Sequence, residues 1–197
     1  RMLLGLNCSA DTCEIIPGHS RVGDVIVVDK TGALYGGREN QNIYKQAIAG
    51  ISNKQKLQGL LPKVIKGADA VIGVSGPNLI TKSMVKSMAK DAIVFAMANP
   101  VPEIMPQDAK DGGAKIVASG RSDFPNQINN ALAFPGIFLA VTKGQLTTIT
   151  QEMKDEASNT LANLVKNPTP VNIIPDIFYP NLAKHIANAI LKVKTRT

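Results

Sequence analysis

The 197 residues contain no tryptophan, and aromatic side chains make up only 4% of them. Proteins that hold single-stranded nucleic acid interleave stacking rings with their cations, so the net charge of +7 lacks its usual companion. Lysines are scattered at 30, 45, 54, 56, 63, 66, 82, 86, 90 and onward, and the densest basic run is KVKTRT at 192–197. That distribution predicts a solvated basic surface, able at most to steer anions by its field, and no nucleic-acid partner. Cysteine is equally scarce. Cys8 and Cys13 cannot build a disulfide framework. With His19 they give a C-x4-C-x5-H spacing, looser than a structural zinc site and one ligand short of it, so no metal is expected here. Gly-x-Ser-x-Gly is missing, and no Cys-His arrangement or adjacent acid pair argues for hydrolysis. His185 sits at helical spacing from neighbouring isoleucines and reads as a surface or half-buried residue. No apolar run reaches the ~20 residues of a membrane span, and RMLLGLN is followed by no convincing cleavage site. A cytoplasmic protein without a membrane partner is expected, with an organelle matrix as the alternative.

What the chain does have is apolar runs alternating with helical patterns. DVIVVD (24–29), ADAVIGV (68–74), IVFAM (93–97) and KIVAS (115–119) read as buried strands. Helical spacing occupies 42–49, 52–66 (interrupted by Pro62), the stretch after Thr81, a short piece ending at Gly112, 126–140, 150–166 and 180–194. Such alternation specifies an α/β fold, a parallel sheet with right-handed crossovers. We therefore expect one dinucleotide-binding domain over 1–197, a Rossmann-like doubly wound sheet lacking its first strand and Gly-rich turn. Residues 1–6 read as the last turns of a helix, 7–23 as an irregular insertion, and 176–197 as the terminal helix.

Candidate site residues follow from where polar groups meet strand ends, since open α/β sheets bind ligands there. Asp29 closes DVIVVD, where an acid accepts hydrogen bonds from an adenosine ribose; Lys30 beside it leaves phosphate recognition open. Aspartate also starts turns, so a local role for Asp29 stays open. Val74 ends the next strand, and Ser75, Gly76 and Pro77 follow it, where glycine permits close approach to a ligand; an ordinary strand-to-helix turn would use the same residues. Asn99 follows IVFAMA and precedes a proline. Its amide can hold a carboxylate or hydroxyl without adding charge, although Asn-Pro is also a common turn. Asn129 and Asn130 pair near a predicted helix start, where anions are favoured and where asparagine also caps. Arg121 and Asp123 are expected to organise their loop and not to react.

Four stretches of text carry a resemblance: VVDKTGALYGGR, GVSGPNLIT, MANPVPEIMP and GRSDFPNQINNALAFPG. They resemble the malic enzymes, specifically the bacterial-type short form, over about residues 24–192. That resemblance implies the C-terminal cofactor-binding domain of an enzyme that oxidises malate with NAD or NADP and releases pyruvate and carbon dioxide. It implies NAD as the favoured form through Asp29, and cofactor contacts from Asp29, Lys30, Val74, Ser75, Gly76, Asn99 and Asn130. Substrate contacts fall to Asn99, Asn129 and Asn130, and a homodimer or larger assembly is implied. The family's catalytic Tyr and Lys, its acidic ligands for Mg²⁺ or Mn²⁺ and its Gly-rich turn match nothing here. No catalytic residue and no metal ligand is therefore assigned in this chain, and the isolated chain is expected to be inactive. Two other readings stay open: a different two-domain NAD-dependent dehydrogenase of the amino-acid type, and a non-catalytic nucleotide-binding module.

Overall fold

The computed structural model describes residues 2–8, 13–15 and 21–194, within two compact units, 1–66 and 67–197. In the first, Met2–Leu4 forms a 3₁₀ turn, and strands β1 (Leu6–Cys8) and β2 (Cys13–Ile15) pair antiparallel. This corrects the helix end expected at 1–6 and the wholly irregular segment expected over 7–23. Strands this short show no readable period in sequence. The zinc spacing remains untouched, because the side chains of Cys8, Cys13 and His19 lie outside the described residues.

The run DVIVVD also departs from expectation. Strands β3 (Val28–Asp29) and β4 (Gly32–Ala33) form a two-residue antiparallel hairpin, with Asp29 opposite Gly32. The carbonyls of the run are spent within the same unit: Leu34 N–H donates to Val27 O at 2.8 Å and Asn53 N–H to Val25 O at 2.9 Å. An apolar run tells of burial, not of which partner completes the ladder. Helix α1 (Ile43–Ile51) begins at Asn42, whose Oδ1 accepts the Lys45 N–H at 2.9 Å. The helix expected over 52–66 shrinks to α2 (Leu61–Val64), with Pro62 in its first turn. Asn53, Lys56 and Gly59 all have positive φ, outside the right-handed region, and proline suits a helix start better than its middle.

The second unit holds the sheet. Strands β5 (Ala70–Gly73), β6 (Ile93–Ala96) and β7 (Ile116–Ser119) run parallel in the order β5-β6-β7, with Gly73, Ala96 and Ser119 in register at their ends. Helices α3 (Lys82–Lys86) and α4 (Pro106–Asp111) make the crossovers that parallel pairing requires. Val94 and Ala96 on the central β6 are fully buried, whereas Ile72 on β5, an edge strand within this unit, is 46% exposed. Three helices complete the unit: α5 (Phe134–Gly144), α6 (Gln151–Leu164) and α7 (Leu182–Lys194). They enclose a core that includes Leu132, Ala140, Met153, Ile186 and Ile190. The helix expected from 126 starts later, because Asn126 takes a positive φ and Pro135 lies in the first turn of α5.

Candidate functional site

Parallel strands share one polarity, so the loops after β5, β6 and β7 leave the sheet at a single rim. After β5, Val74 is 76% exposed, Ser75 is exposed and Gly76 half-buried. After β6, Met97 N–H donates to Gly73 O at 3.1 Å, keeping the chain beside β5 before it reaches Asn99. The Asn99–Pro100 peptide is cis. After β7 the chain loops out and returns: Ile128 N–H donates to Ser119 O at 2.8 Å, and Gln127 bridges Ser119. That return delivers Asn129 and Asn130 to the rim.

The three rim asparagines are not equivalent. Asn129 Oδ1 accepts the Ala131 N–H at 2.9 Å and caps a 3₁₀ turn over Asn130–Leu132. Asn99 and Asn130 are exposed, and neither side chain has a hydrogen-bond partner among the described residues. Each offers two donors and an acceptor to a ligand, without a fixed charge. The loop that carries Asn129 and Asn130 is held by groups nearby. Arg121 grips Asp123 through Nε and Nη2 at 2.8 and 2.7 Å, and its guanidinium lies 5.6 Å from the Phe124 ring centre. This is the organising role expected of that pair; Arg121 holds the Asp123 carboxyl below its ordinary range.

Two residues of this rim escaped the sequence reading. Asn126 is buried, and its Nδ2 donates to Val117 O and Pro170 O at 3.0 and 2.9 Å while its Oδ1 accepts the Ile173 N–H at 2.9 Å. Glu103, the acid of PVPEI, is 1% exposed. Its Oε1 accepts the Ser75 N–H at 2.8 Å and its Oε2 the Ala98 N–H at 3.0 Å. The only sequence signal was an acid set between Pro102 and Ile104, which are themselves buried.

Asp29 and Lys30 belong to the first unit. Lys30 is exposed. Asp29 is heavily engaged: Arg38 Nη2 lies 2.9 Å from both its oxygens, Lys45 Nζ 2.6 Å from Oδ2, and the Thr31 N–H and hydroxyl 2.9 and 2.8 Å from Oδ1. Arg38 is fixed in turn, donating through Nη1 to Gly32 O and Ala33 O at 3.0 Å each. The carboxylate thus closes its own hairpin, and a ribose hydroxyl would have to share an oxygen already in use. Arg38 above all, then Lys45 and Thr31, hold the Asp29 carboxyl well below the usual range, against the opposing pull of burial.

A carboxyl depressed in the folded state stabilises it fully above the unfolded value of ~3.9, and that contribution fades as pH falls towards the folded value. Asp29→Asn is accordingly expected to lower the melting temperature at pH 7, with the gap to the unsubstituted protein closing below about pH 4. Thermal denaturation at both pH values measures it; a gap that is constant with pH would refute the charge-based account.

Residues 18–195 match the protein family described as malic enzyme, NAD binding domain. A bifunctional malic/malolactic enzyme of Bacillus subtilis (strain 168) is 46% identical over 91% of this chain and 44% of its own length. An NAD-dependent malic enzyme of Geobacillus stearothermophilus is 39% identical over 100% of the chain and 41% of its own. Among solved structures, the NAD-dependent malic enzyme from Thermotoga maritima superposes with a TM-score of 0.81 at 40% identity, covering 87% of this chain and 45% of that one. The chain spans less than half the length of these relatives.

Proposed function

The chain belongs to the malic enzyme family through its NAD-binding domain, and from that premise we propose that it is the cofactor-binding half of an oxaloacetate-decarboxylating malate dehydrogenase. Such an enzyme oxidises malate to pyruvate and carbon dioxide with NAD(P) and Mg²⁺ or Mn²⁺. One observation carries this reading: Asn99 and Asn130 stand exposed and without hydrogen-bond partners among the described residues, on the segments that follow neighbouring parallel strands.

A small dicarboxylate beside a nicotinamide needs donors for its carboxylate oxygens and acceptors for the carboxamide, and a side-chain amide supplies both. In this reading Asn99 orients the substrate against the nicotinamide ring, and Asn130, with the side-chain amide nitrogen of Asn129, holds a carboxylate. Neutral donors bind it without the strong ground-state attraction of a cation, which leaves room for interactions that grow towards the transition state. Val74, Ser75 and Gly76 form the adjoining wall for the cofactor. The dinucleotide, when bound, supplies the hydride acceptor. A divalent cation contributes Lewis-acid polarisation when bound, and its ligands are assigned to residues outside this chain.

NAD is the proposed cofactor, because a carboxylate at position 29 suits a ribose diol and opposes a 2′-phosphate. Arg38 and Lys45 offset that charge, so the margin over NADP is expected to be modest. The substrate partners are malate and pyruvate, the assembly a homodimer or larger, and the setting the cytoplasm. The test is an assay of NADH formation from malate with Mn²⁺, run on the full-length protein and on residues 1–197 alone. Turnover by the first and none by the second is expected. No malate-dependent turnover by the full-length protein defeats the functional reading; turnover by the isolated chain defeats the placement of the acid–base and metal groups elsewhere.

A further inference from the structure

Glu103 has no place in the chemistry described above, yet its carboxylate is buried and spans two of the rim loops. Its oxygens accept one N–H from Ser75, 28 residues earlier, and one from Ala98, the residue before Asn99. Hydrogen bonds to a carboxylate are shorter and stronger than neutral ones, and here they converge from the ends of two different strands. The backbone reinforces the junction: Asn78 N–H donates to Pro102 O at 3.1 Å and Ile80 N–H to Glu103 O at 2.9 Å. The carboxylate leaves no room for a side chain at position 73. A Cβ placed on Gly73, the last residue of β5, would lie 2.4 Å from Glu103 Cδ and 2.7 and 2.8 Å from its oxygens. Glycine at 73 and glutamate at 103 therefore fit one another.

We infer that Glu103 is a positioning residue: it fixes the spacing between the Val74–Gly76 wall and the Asn99 loop, so that cofactor and substrate are held in one geometry. The inference rests on the proposed reading of the rim as the cofactor and substrate site. It extends that reading by naming the group that keeps two of its parts in register. Ser75 and Asn99 are both exposed, and without this bridge the two loops would be joined only by the backbone hydrogen bonds on either side of them. Misplacement of about 1 Å can cost on the order of 100-fold in rate. A neutral glutamine would keep the volume but turn an NH₂ towards one of the two N–H donors, leaving it unsatisfied.

The experiment uses the full-length protein. In the unsubstituted enzyme, amide hydrogen exchange at single-residue resolution is expected to show Ser75 and Ala98 protected, although Ser75 lies at the surface. Exchange of both at free-peptide rates overturns the inference whatever the variants do. Glu103→Gln and Gly73→Ala are then compared at temperatures well below their melting points. Both should lower kcat by about ten-fold or more and raise KM for malate and for the dinucleotide together. The second does so with every rim side chain intact. A lowered melting temperature with kcat and both KM values unchanged would make Glu103 merely structural and overturn the inference. Should either variant fail to fold, the other variant and the exchange data decide. Failure of the unsubstituted enzyme to turn over malate counts against the functional reading instead, while the exchange result still judges the bridge.

Discussion

Asn99→Ala in the full-length protein is expected to lower kcat/KM for malate by about 10²- to 10³-fold, the usual loss when one preorganised donor is removed from a reacting centre. The magnitude is large because the amide serves both partners of the hydride transfer in this reading. The same substitution should leave the fold alone. Asn99 is exposed and its side chain bonds to nothing among the described residues, and surface changes of that kind usually stay within ~0.5 kcal/mol. Activity and melting temperature are thus expected to separate, with the first collapsing and the second unmoved. Steady-state kinetics beside a thermal melt would show it. Normal turnover in a folded Asn99→Ala enzyme would remove the proposed substrate contact altogether.

The second large effect concerns the helical core. Ile186 on α7 is fully buried, and Ile186→Ala is expected to cost ~2–5 kcal/mol by loss of transfer energy and creation of a cavity. The opposing wall is Gly136, where a Cβ would lie 2.5 Å from Ile186 Cβ and 3.0 Å from Ala183 O. Gly136→Ala gains up to ~1 kcal/mol of helix propensity. It must also push two helices apart against backbone as well as side chain, and overpacking typically costs ~1–3 kcal/mol. A net loss is expected, smaller than that of Ile186→Ala. Urea denaturation of the two variants measures both, and a stabilised Gly136→Ala would show that α5 and α7 separate freely. The glycine of AFPG is therefore explained by close helix packing, with no ligand required.

Legibility in the sequence follows the reach of each interaction. The runs at 68–74, 93–97 and 115–119 were readable as strands because continuous apolar stretches bounded by glycine or proline have few other uses. DVIVVD has the same texture, yet its carbonyls go to Leu34 and Asn53, and no periodicity announces such partners. Asp29 shows the same limit from another side. Its residue type suggested a ribose, but Arg38 and Lys45, 9 and 16 residues onward, claim the carboxylate in the hairpin. The rim asparagines stand out by their place after strands, but their roles come from family resemblance, since spacing alone leaves the turn or cap reading open, and Asn129 indeed caps a turn. Glu103 stayed hidden because both its partners are backbone amides, which every residue but proline possesses and no sequence pattern marks.

The buried amide of Asn126 has a bearing on how the chain acquires its shape. Its partners Pro170 and Ile173 lie 44 and 47 residues further on, so this contact closes a long loop, and such closures come late and slowly. During synthesis β7 can be made and paired well before those partners emerge. The segment leading to Asn129 and Asn130 then waits for the proline-rich stretch between α6 and α7. That corner can therefore take its final form only once residues 170–173 have been made.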